Sequence, residues 1–368
     1  MMYASAIVVL CVIGGVLAIA LLIADRFLCN YGPCEIRVND QEPFVVKGGG
    51  KLLDALYDHR IFIPSACGGQ GTCGFCKVRV LEGGGPTLPT ELPFLNAEEV
   101  ANLTRLSCQV KVKRDMVLHV KEEFLDVKEF IATVKSARLV TADTREVVLS
   151  LAPGETISFR PGQYVQVFVP GQKDMVFRAY SLASPPSRNH EIELLIRLIP
   201  GGVGSGYLHQ VAVGDEVRFT GPYGEFILNE DENTELICVG GGCGMAPMRS
   251  LVRHLAEASP NKVCRLFFGA RTAPDAMYFA DFAALNQQYP NLKVVYALSE
   301  PGTSAEWNGE TGFIHESVDR HLGLEGRRQV FLCGPPKMIE ATMRVLQDKG
   351  IPKEDTFYDE FRFSQRRI

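Results

Sequence analysis

The sequence has no basic surplus. Its formal net charge is −5, so it offers no positive footprint for nucleic acid, and that class of partner is set aside. Low-complexity tracts and internal repeats are also missing, which excludes solenoids and fibrous arrays. Cysteine is plentiful, but the pairing pattern of a secreted disulfide framework is absent. The count of eleven is odd and the spacings are uneven, so the thiols suit a reducing compartment. The longest apolar run, Ala4 to Ala24, contains no ionisable residue. A lone helix of that kind has no means of moving an ion or a proton.

What is present is length and a sharp change of texture along it. At 368 residues the chain exceeds one ordinary core, so two or three domains are expected. The run from Ala4 to Ala24 spans about 30 Å as a helix, the hydrocarbon thickness of a bilayer. A signal peptide is the competing reading, but the basic leading segment and a small-residue cleavage site before Asp25 are both missing. The expectation is a single uncleaved transmembrane helix. Arg26 and everything behind it would stay on the cytoplasmic side of the inner membrane.

Past the juxtamembrane stretch, CEIRVND alternates as a strand does, and FVVKGGGKLLDALYDHRIFIP reads as strand, turn and helix. CKVRVLEGG and CQVKVKRDMVLHV supply further strands up to Val120. The result is a small α+β unit. From Glu129 many short strands recur at the spacing of an antiparallel barrel. From Thr234 strands and helices alternate, beginning with ELICVGGG, a continuous apolar run that stops at glycine. That alternation predicts a parallel sheet of the nucleotide-binding type.

The stretch CGGQGTCGFC places Cys67, Cys73 and Cys76 within ten residues, and Cys108 follows in RLSCQV. Four thiolates on tight loops bind either zinc or an iron–sulfur cluster, so the count alone leaves both open. Structural zinc sites usually join two C-x2-C knuckles, whereas three close ligands and one remote ligand is the [2Fe–2S] ferredoxin layout. Small intervening residues let the backbone wrap close and aim N–H groups at sulfur. Cys11, Cys29, Cys34, Cys238 and Cys264 read as small apolar fillers.

Three further motifs carry a resemblance. RAYSLAS (Arg178 to Ser184) resembles the R-x-Y-S motif of the ferredoxin–NADP reductase superfamily, and GGVGSGYLH and GPYGEF follow it in the superfamily order. The resemblance implies that Arg178 meets the flavin phosphate, Tyr180 packs on the ring and Ser181 sits near the reacting nitrogen. It also implies that Arg197, Gly202, Val203, Gly204 and Ser205 complete the flavin site, through backbone N–H groups and the Ser205 hydroxyl. VGGGCGMAPMRS is similar to the turn that receives the pyridine-nucleotide diphosphate, which implicates Gly241, Gly242, Gly244, Met245, Ala246 and Pro247, with Arg271 beyond them. FLCGPP resembles the C-G-P-P motif, so Cys333, Gly334 and Pro335 would border the nicotinamide. Ser181 and Cys333 are then the catalytic candidates.

Anchor, ferredoxin domain, flavin barrel and nucleotide domain stand in the order of the F subunit of the sodium-translocating NADH:quinone reductase, and Cys67-x5-Cys73-x2-Cys76 matches that family's spacing. The resemblance implies an anchor over 1–28, a [2Fe–2S] domain of β-grasp type over 33–126, an FAD-binding barrel over 127–231 and an NAD-binding domain over 232–368. It implies FAD, a [2Fe–2S] cluster and NADH, integral-membrane redox subunits as partners, and Phe361 in TFYDEF as an aromatic lid on the flavin. If the assembly is a pump, its conduction path lies in those other subunits. Two departures stand out: the family's long insertion before RAYSLAS is missing, and RFSQRRI extends the end. The rival readings are a reductase component serving an oxygenase, and a non-catalytic redox sensor.

Overall fold

The computed structural model describes residues 11–20, 31–171, 176–224, 226, 228, 231, 233–302, 307–323 and 326–360, the last by its backbone alone. Two compact units divide the chain, Met1–Asp126 and Val127–Ile368.

In the first unit residues 11–20 are helical (α1) and exposed. The remainder of the expected anchor, with Cys29, lies outside the described residues. Among the described residues no helix is long and apolar enough to cross a membrane. The folded part begins at β1 (Pro33–Val38), where Cys34, Ile36 and Val38 point inward because side chains alternate across a strand. β1 pairs antiparallel with β2 (Phe44–Lys47). The chain continues through α2 (Leu52–Asp58), β3 (Lys77–Glu82), α3 (Ala97–Ala101), β4 (Thr104–Leu106), β5 (Met116–His119) and α4 (Glu122–Leu125). The sheet order is β2-β1-β5-β3-β4, with β1 and β5 parallel. Leu52, Leu53 and Leu56 of α2 join Ile36, Val78, Val80 and Leu118 in one core.

One expected strand differs. The backbone of CQVKV does not extend the sheet as a full strand. The Val110 carbonyl accepts from the Leu52 amide at 2.8 Å, and the Val112 amide donates to the Gly50 carbonyl at 3.0 Å. Val110 and Val112 are buried all the same. The alternation is real, but it comes from packing one face of a connector beneath the start of α2.

The second unit opens with a six-stranded sheet: β6 (Lys128–Leu139), β7 (Thr144–Ser150), β8 (Tyr164–Phe168), β9 (Phe177–Ser181), β10 (Glu191–Arg197) and β11 (Glu216–Tyr223). Its order is β10-β7-β6-β11-β8-β9, antiparallel throughout. A bridge between Leu182, just past β9, and Leu194 in the middle of β10 links the two outer strands. Helix α5 (Val203–Gln210) contributes Leu208 to the core of this sheet.

Six parallel strands follow in the order β15-β14-β13-β12-β16-β17. They are β12 (Glu235–Gly241), β13 (Cys264–Ala270), β14 (Leu292–Leu298), β15 (Glu310–Thr311), β16 (Arg328–Gly334) and β17 (Thr356–Glu360). Four helices connect them: α6 (Met245–Ala258), α7 (Phe279–Gln288), α8 (Ile314–His321) and α9 (Pro336–Asp348). Leu236 and Cys238 face one core with α6, while Ile237 and Val239 face another with α8 and α9. A strand buried on both faces needs an unbroken apolar run, which is what ELICV supplies.

A buried ion pair in the first unit had no sequence signal. The Glu91 carboxylate is fully buried. It accepts from Arg105 Nη2 at 2.6 Å and from the Leu88 and Leu106 amides, each at 2.8 Å. Arg105 Nη1 donates to the carbonyls of Gly84 and Gly85 at 2.7 and 3.0 Å. The pair binds the 84–94 segment to β4, two residues before Cys108. Arg105→Met strands a buried carboxylate, so it should cost about 3–5 kcal/mol, read as an earlier urea transition of this unit. Arg344→Ala, which removes the exposed pair with Glu340, should cost under about 0.5 kcal/mol.

Candidate functional site

Cys67, Cys76 and Cys108 are buried and Cys73 is half-buried. The loop that carries them turns through positive φ at Gly68, Gly69, Gly71 and Gly74, a region open to glycine and strained for other residues. Space is short as well as conformation restricted: a Cβ on Gly74 would lie 2.8 Å from the Phe94 ring. Ser65 Oγ accepts from the Gly69 amide at 2.8 Å, and Lys51 Nζ donates to the Gly69 carbonyl at 3.2 Å. The remote ligand is fixed by Ser107, whose amide and hydroxyl both donate to the Cys76 carbonyl, at 2.8 and 3.0 Å.

The sulfurs fall into two pairs. Cys73 Sγ lies 3.3 Å from Cys67 Sγ, and the Cys76 and Cys108 thiols are neighbours. The bond from Cys73 pulls the Cys67 thiol down to about 4, with the Thr72 and Gln70 amides adding to it. The Cys73 thiol is pushed up correspondingly. In the second pair Cys108 goes down and Cys76 up for the same reason, and the Gly71 amide assists Cys108. Thiolate is the form that binds metal, and the downward shifts at Cys67 and Cys108 favour it. Among the described residues no three of His, Cys, Asp and Glu are grouped to hold a single metal ion. Four neighbouring thiols, with backbone amides turned toward Cys67 and Cys108, are a donor set that would suit a binuclear cluster.

In the second unit the expected flavin residues come together. Arg178 and Tyr180 lie on β9, Ser181 ends it, and α5 runs against them. Gly204 makes that approach possible: a Cβ there would lie 2.6 Å from Arg178 Cγ and 2.9 Å from Tyr180 Oη. Burial pushes the Tyr180 hydroxyl up, partly offset by the Arg178 charge. Gly202, at the helix cap, and Val203 lead into the first turn of α5. The Ser205 hydroxyl accepts from the Ile199 amide at 3.1 Å and lies 3.3 Å from the Gly202 carbonyl. These contacts close the turn that opens α5. Arg197 donates from Nε to Asp143 Oδ2 at 2.7 Å. Burial would raise the Asp143 carboxyl, but Arg197 and the Thr144 hydroxyl hold it below its usual range.

The two glycine turns of the parallel sheet interlock at the carboxyl ends of β12 and β16, the crevice where such sheets take ligands. β12 ends at Gly241, a tight turn covers Gly242 to Gly244, and α6 begins at Met245. A Cβ on Gly244 would lie 1.9 Å from the Cys333 carbonyl oxygen, and one on Gly334 would lie 3.0 Å from the Gly241 carbonyl. Met245, Ala246 and Pro247 are buried in the first turn of α6, where proline is tolerated. Pro335 caps α9. Cys333 is fully buried, and its thiol is pushed up by burial, with Asp359 and Cys243 adding to it. Arg271 is exposed just past β13, its carbonyl accepting from the Glu300 amide at 2.8 Å. Phe361 lies outside the described residues. The strand leading to it, β17, sets Asp359 opposite Cys333.

One residue of the site escaped sequence reading. Cys243, inside the glycine turn, is half-buried and its thiol is pushed up to about 12 by burial, beside the Arg197 backbone and the Thr144 hydroxyl. Its charge would bear on both Tyr180 and Cys333. Its place within VGGGCGMAPMRS was the signal available. Cys34, Cys238 and Cys264 are buried as fillers should be, whereas Cys11 is exposed on α1.

Family models match in the same order: a 2Fe-2S iron-sulfur cluster binding domain over residues 36–113, an oxidoreductase FAD-binding domain over 131–227 and an oxidoreductase NAD-binding domain over 238–344. The F subunit of the Na(+)-translocating NADH-quinone reductase of Methylococcus capsulatus is 36% identical, across 94% of this chain and 95% of its own. That of Neisseria meningitidis is 36% identical across 96% and 98%. Among solved structures, the Amycolatopsis cytochrome P450 reductase GcoB superposes with a TM-score of 0.71 at 30% identity, covering 89% of this chain and 98% of its own. The ferredoxin reductase in carbazole 1,9a-dioxygenase gives 0.68 at 29% identity, with 90% and 98% covered.

Two glycine substitutions separate the sites. Gly204→Ala should lower flavin retention at least about tenfold, because Arg178 and Tyr180 must move; this is read as flavin released on gel filtration. Gly244→Ala meets backbone, which cannot yield, and should abolish NADH binding while the iron–sulfur spectrum persists. Wild-type flavin retention in Gly204→Ala would contradict the assigned approach.

Proposed function

Because the chain belongs to the family of the F subunit of the Na(+)-translocating NADH-quinone reductase, we propose that it is the entry module of such a complex. It takes electrons from NADH through FAD and a [2Fe–2S] cluster to quinone-reducing partners. FAD accepts the two electrons of NADH together and the cluster takes them singly, which explains why one chain carries both groups.

The residue roles follow from their chemistry. Arg178 supplies the cation that a flavin phosphate requires, and Tyr180 the aromatic surface for its ring. Ser181 offers a hydroxyl at the end of β9. The amides opening α5 and those of the 241–247 turn serve two diphosphates. Cys333, buried and neutral, walls the nicotinamide and keeps water out. Cys67 with Cys73, and Cys76 with Cys108, hold the cluster. The observation that carries the reading is the pair of close approaches, Gly204 on Tyr180 and Gly244 on Cys333. They build a flavin wall and a nicotinamide wall in one compact unit.

Residues 4–24 serve as the single anchor that keeps the module on the inner membrane, its cytoplasmic face receiving NADH. The apolar run in the sequence supports this, as does a helix over residues 11–20. Phe361 covers the flavin until nicotinamide arrives, since β17 runs toward it beside the Cys333 strand. A second reading, the reductase of an oxygenase system, is favoured by the superposition on the carbazole 1,9a-dioxygenase reductase. Gentle detergent extraction separates them: integral-membrane redox subunits should travel with this chain, and recovery with an oxygenase would reverse the preference.

Anaerobic mixing with NADH should bleach the visible flavin absorbance within one turnover. Cys73→Ala should then abolish electron delivery to one-electron acceptors and leave flavin reduction intact. Equal loss of both activities would refute the order of carriers, and zinc in the loop would refute the cluster.

A further inference from the structure

The antiparallel sheet and the parallel sheet of the second unit meet through a cluster of buried charge that no binding or catalytic role accounts for. Glu193 on β10 and Glu146 on β7 are nearly buried, with side chains 5% and 7% exposed. Glu193 lies opposite Val148 and Leu195 opposite Glu146, so the two carboxylates share a face one step apart on neighbouring strands. Like charges so placed need a cation between them. Arg249 of α6 provides it, bonded to Glu193 Oε2 and 3.7 Å from Glu146 Oε2. Arg253, one turn on, donates to the same Glu193 oxygen at 2.9 Å, while Arg188 holds Oε1 at 3.0 Å. Tyr278, between the parallel strands β13 and β14, donates its hydroxyl to Glu146 Oε2 at 2.5 Å, and the Arg249 guanidinium lies 4.4 Å over its ring. Tyr278 adopts φ +59 to do so, a conformation rare for a bulky residue and maintained only where surroundings enforce it.

Position gives the cluster its meaning. Arg249 and Arg253 sit on the helix whose first residue follows Gly244, the residue locked against Cys333. Glu193 receives the Ala183 amide at its carbonyl, and its own amide donates to Ser184 Oγ at 3.2 Å. The Ser184 carbonyl in turn accepts from Ser250 Oγ of α6 at 2.7 Å. Ser184 lies three residues beyond Ser181. One helix thus carries the nicotinamide wall at its start and grips the flavin wall a turn later.

We propose that Glu193, Glu146, Arg249, Arg253 and Tyr278 form a charge clamp of positioning residues. The clamp sets how closely nicotinamide approaches flavin, and so the rate of hydride transfer. The proposal rests on the electron-transfer reading above. In that step the hydride leaves NADH with both electrons of its C–H bond, so NADH is oxidised to NAD+ and the flavin is reduced. Ion pairs suit the task because they are directional. A displacement of about 1 Å at such a site costs on the order of a hundredfold in rate.

Full-length Glu193→Gln and Tyr278→Phe test it, with Lys135→Met as the control that deletes an exposed ion pair with Glu191 on the same sheet. At saturating NADH both clamp variants should reduce their flavin at least about tenfold more slowly, with NADH affinity within about threefold of wild type. The primary isotope effect from 4-deuterated NADH should be at least as large as wild type. In the flavin-free protein, amides of residues 245–253 should exchange with deuterium faster in the variants. Lys135→Met should match wild type in every respect. The proposal is overturned if both clamp variants melt earlier yet reduce flavin at the wild-type rate, or if the control slows as much as they do. Failure of the parent reading looks different: wild type itself would not be reduced by NADH while the exchange contrast persisted, and the clamp would lose its catalytic role with it.

Discussion

The oxygen of Cys333 and the α-carbon of Gly244 leave no room between them for even one carbon, which would lie 1.9 Å from that oxygen. The arrangement at the head of the parallel sheet depends on this approach. It lets β12 and β16 deliver two turns into one crevice. It starts α6 at Met245, directly after the turn, beside the backbone of the buried Cys333. A side chain at Gly244 would move a backbone, which no rotamer change can absorb. Gly204 plays the same part for the antiparallel sheet, though the atoms it meets are side chains with some freedom to yield.

The cluster loop answers the same demand with different means. Four glycines at positive φ let ten residues circle a small volume, and the Cys67 and Cys73 sulfurs already lie 3.3 Å apart. A loop this irregular has little core of its own, so its support comes from beneath. The Glu91–Arg105 pair ties the following segment to β4, and Ser107 ties Cys108 to Cys76. Removing water from Glu91 is costly, and the guanidinium and amide donors around its carboxylate offset that cost only if all are present. Such a network favours one geometry over many, which is what a rigid ligand set requires.

Legibility followed the range of the forces involved. Strand periodicity, glycine turns and cysteine spacing act over a few residues, so ELICVGGG, RAYSLAS and the cysteine loop could be read one stretch at a time. The apolar spacing of Met248, Leu251, Val252 and Leu255 likewise foretold the buried face of α6. Partners distant in sequence could not be read. Glu91 resembles any surface acid, and Glu193 and Glu146 resemble the polar half of alternating strands. Val110 and Val112 misled because burial of one face produces alternation whether or not a ladder forms.

The buried charges between the two sheets would be poor choices if stability alone were at stake, since apolar residues of equal volume usually pack as well or better. Apolar contacts, however, slide. A boundary of leucines would tolerate small rotations of one sheet against the other at little cost, and the motifs on β9 and β16 would drift apart with them. Carboxylates and guanidinium groups have fixed donor directions, so a rotation breaks several bonds together. The cluster also brings a strained tyrosine and four arginines, Arg138 among them, onto two acids. A boundary built this way sacrifices adaptability for a single distance, and distance is the quantity on which electron and hydride transfer depend most steeply.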